Sequence, residues 1–478
     1  METAMNKNLS YALHSAAVLA FMFLFQFLPP VAPLTSVSMQ VIGVFIGVIY
    51  GWVNVGLAWP SLLGVVALGC TDYMPMSTVL QTAFGTQTLV MILSLLLLAA
   101  FVQQADLTGV ILDWLLGMKS ARGKPFLTLF YFLMAGFLAA LLSQSIAVFV
   151  IFLELFKDLM KKTGIKPYSS AVPAFFVGMG FSLSFGDSAL PFKGSGIVAI
   201  GAYQAITGES MNLVHFVLFC MPLSVLGIAA YVLFCKYCMK VDLSPLKNYV
   251  HVKENVTLSL KKKVALVGVV GTLLFLLLPG VVPPSSSLHD VFGMLGLGGL
   301  SLLLLAVLFI IRVEGEPLID VGKIAPFFPW NVFFILVVLF PLANAISSDV
   351  VGLNAIISSG VSALLNNMPT ALIMATVIFL AAYITNFANN MVICALFVTI
   401  VCFIRDSLPI HPEILSYLVV LSSSLSMFFP AANPINAIIF GQRDCVSFRQ
   451  EFTHGFICCS FLCCVLLVSG YVWSRIVF

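Results

Sequence analysis

The sequence predicts an all-α integral membrane protein of about 11 transmembrane helices in two inverted-topology repeats, each with a re-entrant helical hairpin and a broken helix. Three observations predict it. Of 478 residues, 61% are hydrophobic and only 9% charged, with a mean hydropathy of +1.11, too few charges to cover a soluble globule of this size. Apolar runs long enough to cross a bilayer recur from end to end. All but three of the 22 Lys and Arg gather on one side of the layout that those runs imply.

The expected spans run at 11–29, 36–52, 55–70, 87–104, 171–205, 213–235, 262–280, 287–311, 329–346, 412–441 and 452–474. The first is read as a retained span, because no small-residue cleavage site follows FQFLPP. Two further runs, 125–160 and 362–404, carry polar residues at their centres: LSQSIA around Ser143, Gln144 and Ser145, and TNFANNMV around Asn389, Asn390 and Met391. A hairpin that enters the membrane and leaves on the same side has this pattern, and irregular backbone at that depth must be buried in protein or line a cavity. With the N-terminus inside and both runs re-entrant, only Arg405 and Arg475 fall outside, and Lys193 falls within the membrane. The first hairpin then opens to the cytoplasm and the second to the opposite side.

Two stretches are expected to be broken spans. SLSMFFPAANPINAIIFG interrupts an apolar run with Pro430, Asn433, Pro434 and Asn436, so a helix arriving there should stop, unwind and restart. FSLSFGDSALPFKGSGIVAIG lies beside it when Pro191 is set against Pro434, a register that puts Lys193 opposite Asn436. The same offset pairs Asp106 with Asp349, expected to cap span ends, and nearly the same offset pairs the two hairpin centres. The expected organisation is an N-terminal span at 1–35, a first repeat at 36–235, a Lys-rich cytoplasmic linker at 236–261 and a second repeat at 262–478. Scaffold spans would occupy 36–70 and 262–311, transport elements 87–205 and 329–441, and 452–474 the last span.

PAANPINAIIFG is similar to the proline- and asparagine-bearing element of the divalent anion/sodium symporter family, whose members carry di- and tricarboxylates or sulfate. ITNFANNMVICALF resembles that family's second Ser-Asn-Thr hairpin, LLSQSIAVFVIF its first, and PWNVFFILVVLFPLANAISSDVVG the span before the second hairpin. The resemblance implies an outer scaffold that forms a homodimer and an inner domain that moves across the membrane. It implies a substrate between the hairpin tips and the broken spans, held by Ser143, Gln144, Ser145, Asn389, Asn390, Lys193, Asn433 and Asn436. It also implies cation coupling near Asp187, Ser188, Lys193, Thr385 and Ala431. Met391 stands where the family has a hydroxyl, and the first break carries Asp187 and Lys193 where the family is Gly- and Thr-rich.

Either charge costs about 2.5–3.5 kcal/mol at the bilayer centre, so Asp187 and Lys193 must face a cavity or each other. They form a locking ion pair, or the Lys193 ammonium replaces a coupling sodium ion or meets a substrate carboxylate. Cys458, Cys459, Cys463 and Cys464 lack the spacing and the His partners of a metal site and are expected to pack. His14, His251 and His454 are expected at interfaces.

These features point to a secondary active transporter, not an enzyme, in the cell membrane with a cytoplasmic N-terminus. It would carry a small, divalent organic or inorganic anion such as a dicarboxylate by an elevator-type motion coupled to sodium or protons. The expected partners are the small anion, the bilayer and a second copy, with no cofactor and no nucleic acid. A sodium/proton antiporter or arsenite-type exporter of the same superfamily is the alternative. An intramembrane aspartyl protease, prompted by Asp187, is a distant one, since it needs two carboxylates in one site.

Overall fold

Proline and glycine set several of the helix boundaries. In this computed structural model the described residues are 2–30, 33–105, 111, 114–115, 117–249, 259–280, 282–283, 285–353, 368–430 and 432–478. The chain opens with α1 (Glu2–Leu24), α2 (Ser36–Asn54), α3 (Ala58–Gly69), α4 (Met76–Phe84) and α5 (Gln87–Ala105). A reciprocal Thr35–Ser38 capping box starts α2. The run expected as one span at 55–70 gives the 12-residue α3, about 18 Å long and too short to cross the hydrocarbon core. Pro75 then redirects the chain into α4, which the sequence reading missed.

The first hairpin is α6 (Pro125–Leu142) and α7 (Ser145–Thr163), with proline at the start of α6 and a left-handed Gly164 ending α7. The first broken span is α8 (Ala171–Ser188) and α9 (Gly194–Thr207), followed by the long α10 (Leu213–Tyr237). The second half runs through α11 (Leu260–Leu277), α12 (Ser287–Ile310), a two-residue strand pair β1 (Arg312–Val313) and β2 (Glu316–Pro317), the short α13 (Val321–Ile324) and α14 (Trp330–Ser347). Its hairpin is α15 (Thr370–Ile384) and α16 (Asn390–Phe403), and its broken span α17 (Pro412–Ser423) and α18 (Pro434–Gly441). The long α19 (Phe448–Val477) closes the chain behind a Ser447–Gln450 capping box.

Hairpin, broken span and long helix therefore occur twice in the same order. Among the described residues, eight helices are long and apolar enough to cross a membrane, and α3, α15, α16 and α17 are shorter apolar helices. The chain is an all-α, multi-pass membrane protein. Asp106 lies outside the described residues, and Asp349 sits exposed in a turn after α14.

The two halves interlock. α9 packs on α16 and α14, while α18 packs on α7 and α8, so each broken span leans on the other half's hairpin. The first hairpin is seated on α8 by aromatic contacts, with Phe156 stacked on Phe175 at 4.5 Å and Phe132 edge-on to it at 5.2 Å. Gly186 lets α8 approach closely, because a Cβ there would lie 2.4 Å from the Phe137 carbonyl oxygen. α1, α2 and α3 form a separate layer against α14, and α11 and α12 pack on α5.

Candidate functional site

Both hairpin tips are short because each helix restarts at once. The first is Ser143 and Gln144, with Ser145 opening α7; Gln144 Oε1 accepts from Gln103 Nε2 of α5 at 3.0 Å. The second runs from Thr385 to Asn389, whose side chain caps α16 by accepting from the Met391 amide at 2.9 Å. Thr385 and Asn386 face away from open space. Thr385 Oγ1 donates to the Ser423 carbonyl at 2.9 Å and to Asn390 Oδ1 at 3.0 Å, and Asn386 Oδ1 accepts from the Phe428 amide at 2.9 Å.

The second break is wider than the prolines announced. α17 ends at Ser423, seven residues before Pro430. The hydroxyls of Ser422, Ser423 and Ser424 bond back to carbonyls three or four residues earlier, which competes with the helical ladder. Ser424 Oγ also donates to Ser188 Oγ at 2.8 Å, tying one break to the other. Asn433 caps α18, accepting from the Asn436 amide at 2.9 Å and donating to Ser426 Oγ at 2.9 Å. Asn436 is fully buried and clasps the unwound loop, its Nδ2 donating to the Ser426 and Phe429 carbonyls. Helix position corrects the sequence register. Lys193 and Asn433 are both extended residues at the N-cap of the restarting helix, so Lys193 answers to Asn433, not Asn436.

Lys193 fills the space beneath the first tip. Its ammonium lies 2.9 Å from Asp187 Oδ1 and donates to the Ala140 and Ser143 carbonyls. Gly194 is required beside it: φ is +50°, and a Cβ would lie 2.4 Å from the Asp187 carbonyl oxygen and 2.6 Å from its Oδ2. The pair is neutral overall and only partly exposed.

These parts surround one cavity of about 560 Å³. Of the residues singled out in the sequence, Ser143, Gln144, Ser145, Asp187, Ser188, Lys193, Asn389, Asn390 and Asn433 line it, joined by Gln103, Ser184, Ser195 and the Phe327–Pro329 turn. Thr385 and Asn436 stand behind its wall, and Ala431 lies outside the described residues. Among the described residues four helices, α7, α9, α16 and α18, begin at this wall, so four positive dipole ends meet there, although Pro434 has no amide hydrogen and the Met391 and Asn436 amides are taken by their caps. Asp187 is the one carboxylate among the described lining residues.

Two acidic residues escaped the sequence reading, and one histidine is placed differently from its expectation. Glu413 is buried, accepting from Tyr417 Oη at 2.9 Å and from the Asn212 amide at 3.2 Å. Glu451 is wholly buried. His454, expected at an interface, is buried with Nε2 3.0 Å from Tyr231 Oη; His14 bonds Tyr50 Oη at 2.7 Å, and His251 lies outside the described residues. Cys458, Cys459 and Cys463 are buried among helices, and Cys464 is exposed.

The profile of the family described as citrate transporter (CitMHS) matches residues 45–386. A sodium-dependent low-affinity dicarboxylate transporter of Caenorhabditis elegans is 31% identical over 168 residues, 35% of this chain and 28% of that protein. An uncharacterized transporter of the same organism is 27% identical over 128 residues, 27% of this chain and 22% of that one. The matched part thus spans less than a third of the length of either relative. Among solved structures, the YdaH transporter of Alcanivorax borkumensis has a TM-score of 0.57 at 15% identity, over 97% of each chain. MtrF of Neisseria gonorrhoeae, described with a class of antimetabolite efflux pumps, has a TM-score of 0.52 at 11% identity, covering 96% of this chain and 94% of that one. At these identities the likeness concerns the fold.

Proposed function

Because the chain belongs to the citrate transporter family, we propose that it is a secondary active transporter of a small di- or tricarboxylate. One observation carries the reading: four helix N-termini and the Lys193 ammonium converge on a single cavity whose only lining carboxylate, among the described residues, is already paired. Fixed first-turn amides favour an anion, and Ser143, Ser145, Asn389 and Asn390 supply hydroxyl and amide groups to orient carboxylates. The cavity volume falls in the ordinary range for small-ligand sites. The same positive convergence disfavours a carrier of cations alone.

Lys193 also shapes coupling. A tethered ammonium on two tip carbonyls supplies there the charge a sodium ion would bring, so the first hairpin needs no ion. Sodium coupling is confined to the second hairpin, around Asn389 and Asn433, or is replaced by protons. The elements at 87–205 and 329–441 move as an inner domain against scaffold spans at 36–70 and 262–311, in a homodimer in the cell membrane with the N-terminus cytoplasmic.

Purified protein in liposomes tests the reading with labelled citrate, succinate and sulfate, each with and without a sodium gradient and with and without a proton gradient. Uptake of citrate or succinate, with sodium dependence weak or absent, is the expected result. Uptake of none of the three would end the proposal.

A further inference from the structure

α19 carries an unexplained acid. Glu451 sits in its first turn with no exposed surface, and neither carboxyl oxygen has a hydrogen-bond partner among the described residues. Capping does not employ it, because Ser447 and Gln450 already form the reciprocal box. A buried carboxylate without donors costs more than a buried neutral acid, so in this conformation the group is a carboxylic acid holding a proton.

The ionisable groups on the elements around that turn are few. Tyr231 and Cys235 come from α10, and Tyr231 is spent on the Ala174 carbonyl at 2.7 Å and on His454 at 3.0 Å. His454, Cys458 and Arg449 belong to α19 itself, and Arg443, Asp444 and Cys445 to the loop before it. Tyr168 reaches that loop, donating its hydroxyl to the Arg443 carbonyl at 2.6 Å. α8 offers only Asp187, at its far end in the cavity; α15 offers Tyr383, bonded to Ser460 at 2.6 Å; α17 offers Glu413 and Tyr417, bonded to each other. Arg443, in the loop before α19, is exposed and stacked over the Phe440 and Phe448 rings. Arg443 and the positive end of α19 make the ionised form reachable once the acid meets water.

The next face of α19 bears on the cavity. Gly455 lies so close to the unwound loop that a Cβ would be 2.4 Å from the Met427 carbonyl oxygen, and Cys459 Sγ donates to the Leu425 carbonyl at 3.3 Å. Phe452 packs on the rings of Phe428 and Phe429, each at 5.9 Å. The loop so held ends in Asn433, a cavity residue.

We propose that Glu451 is a proton-binding site that couples proton uptake and release to the unwound loop of the second broken span. Its carboxyl loses the proton to water on the Arg443 side, and the resulting charge draws the first turn of α19, with Phe452 and the loop it holds, away from the present packing. Reprotonation restores it. The coupling half of the inference rests on the transport function proposed above; the proton site does not.

Infrared spectra of the full-length protein without substrate, titrated in pH, read the site directly. A protonated-carboxyl carbonyl band should persist above the pH at which exposed carboxyls ionise and should be missing from Glu451→Gln. Identical spectra for the two proteins overturn the site. Arg443→Gln, at an exposed position, should move the titration midpoint of that band upward. An unmoved midpoint refutes the release path and serves as the check if Glu451→Gln prevents folding. In liposomes, an outside-acid gradient should raise citrate or succinate uptake by the wild type and not by Glu451→Gln. A variant that keeps the full response overturns coupling. If the wild type carries none of the anions, the transport reading fails while the spectra still decide the proton site.

Discussion

Lys193 and Gly194 put opposite demands on one turn of backbone. The ammonium needs Asp187 folded back over the break, and that fold leaves room for no side chain at position 194. Gly194→Ala should therefore cost at least about 1–2 kcal/mol from the left-handed backbone alone, before the clash with Asp187. A lowered thermal midpoint of the detergent-solubilised protein checks it, and an unchanged one would mean the turn relaxes freely. Lys193→Ala should abolish uptake. Lys193→Asn, which installs the residue found at the equivalent N-cap, should open the tip to sodium and raise the sodium dependence of whatever uptake remains. An unchanged ion requirement would make the ammonium a structural clasp. The Asp187–Lys193 pairing was legible in the sequence because two opposite charges inside an apolar span have few ways to be accommodated. Glu451 was not legible. It follows Ser-Phe-Arg-Gln and reads as the wet first turn of a helix, and only tertiary packing makes it dry.

At the scale of elements, the broken spans are held open by side chains as much as by prolines. Ser424 joins Ser188 across the two halves, Thr385 bonds the end of α17, and Asn433 caps α18. Ser424→Ala should remove a buried bond worth about 1 kcal/mol and leave the Ser188 hydroxyl short of a partner. Asn433→Ala should cost a further ~1 kcal/mol as a lost cap. Thermal unfolding of the single and double variants measures both, and losses well below these values would mean that the breaks are set by packing. Pro434 and Asn433 announced the restart of the helix, but nothing as local announced its stop. That stop depends on three serines bonding backward and on Asn386 claiming the Phe428 amide from another element. A pattern reading sees neither the direction of a hydroxyl nor a partner 42 residues away.

For the whole molecule, the sequence was most informative where the solvent dictates the answer. Each hairpin, each broken pair and each long helix lies where an apolar run with or without a polar centre demanded it, because lipid leaves the backbone no other way to satisfy itself. It failed at α3 and α4, where Pro75 divides an apolar stretch that composition alone would carry across the membrane. The inverted arrangement predicts opposite sidedness: cysteines placed at Lys162 and Arg405 should react with an impermeant reagent from opposite faces of sealed vesicles. Labelling of both from one face would refute it. The four helix starts around the cavity carry a longer consequence. Their dipoles belong to the main chain, so no side-chain replacement short of proline disturbs them, whereas every selective group there, Ser143, Asn389, Asn390 and the rest, is a side chain that one base change can replace. Descendants of this chain are free to wander among cargoes of different size and shape. Under the proposed function they keep a preference for anions along with the fold itself.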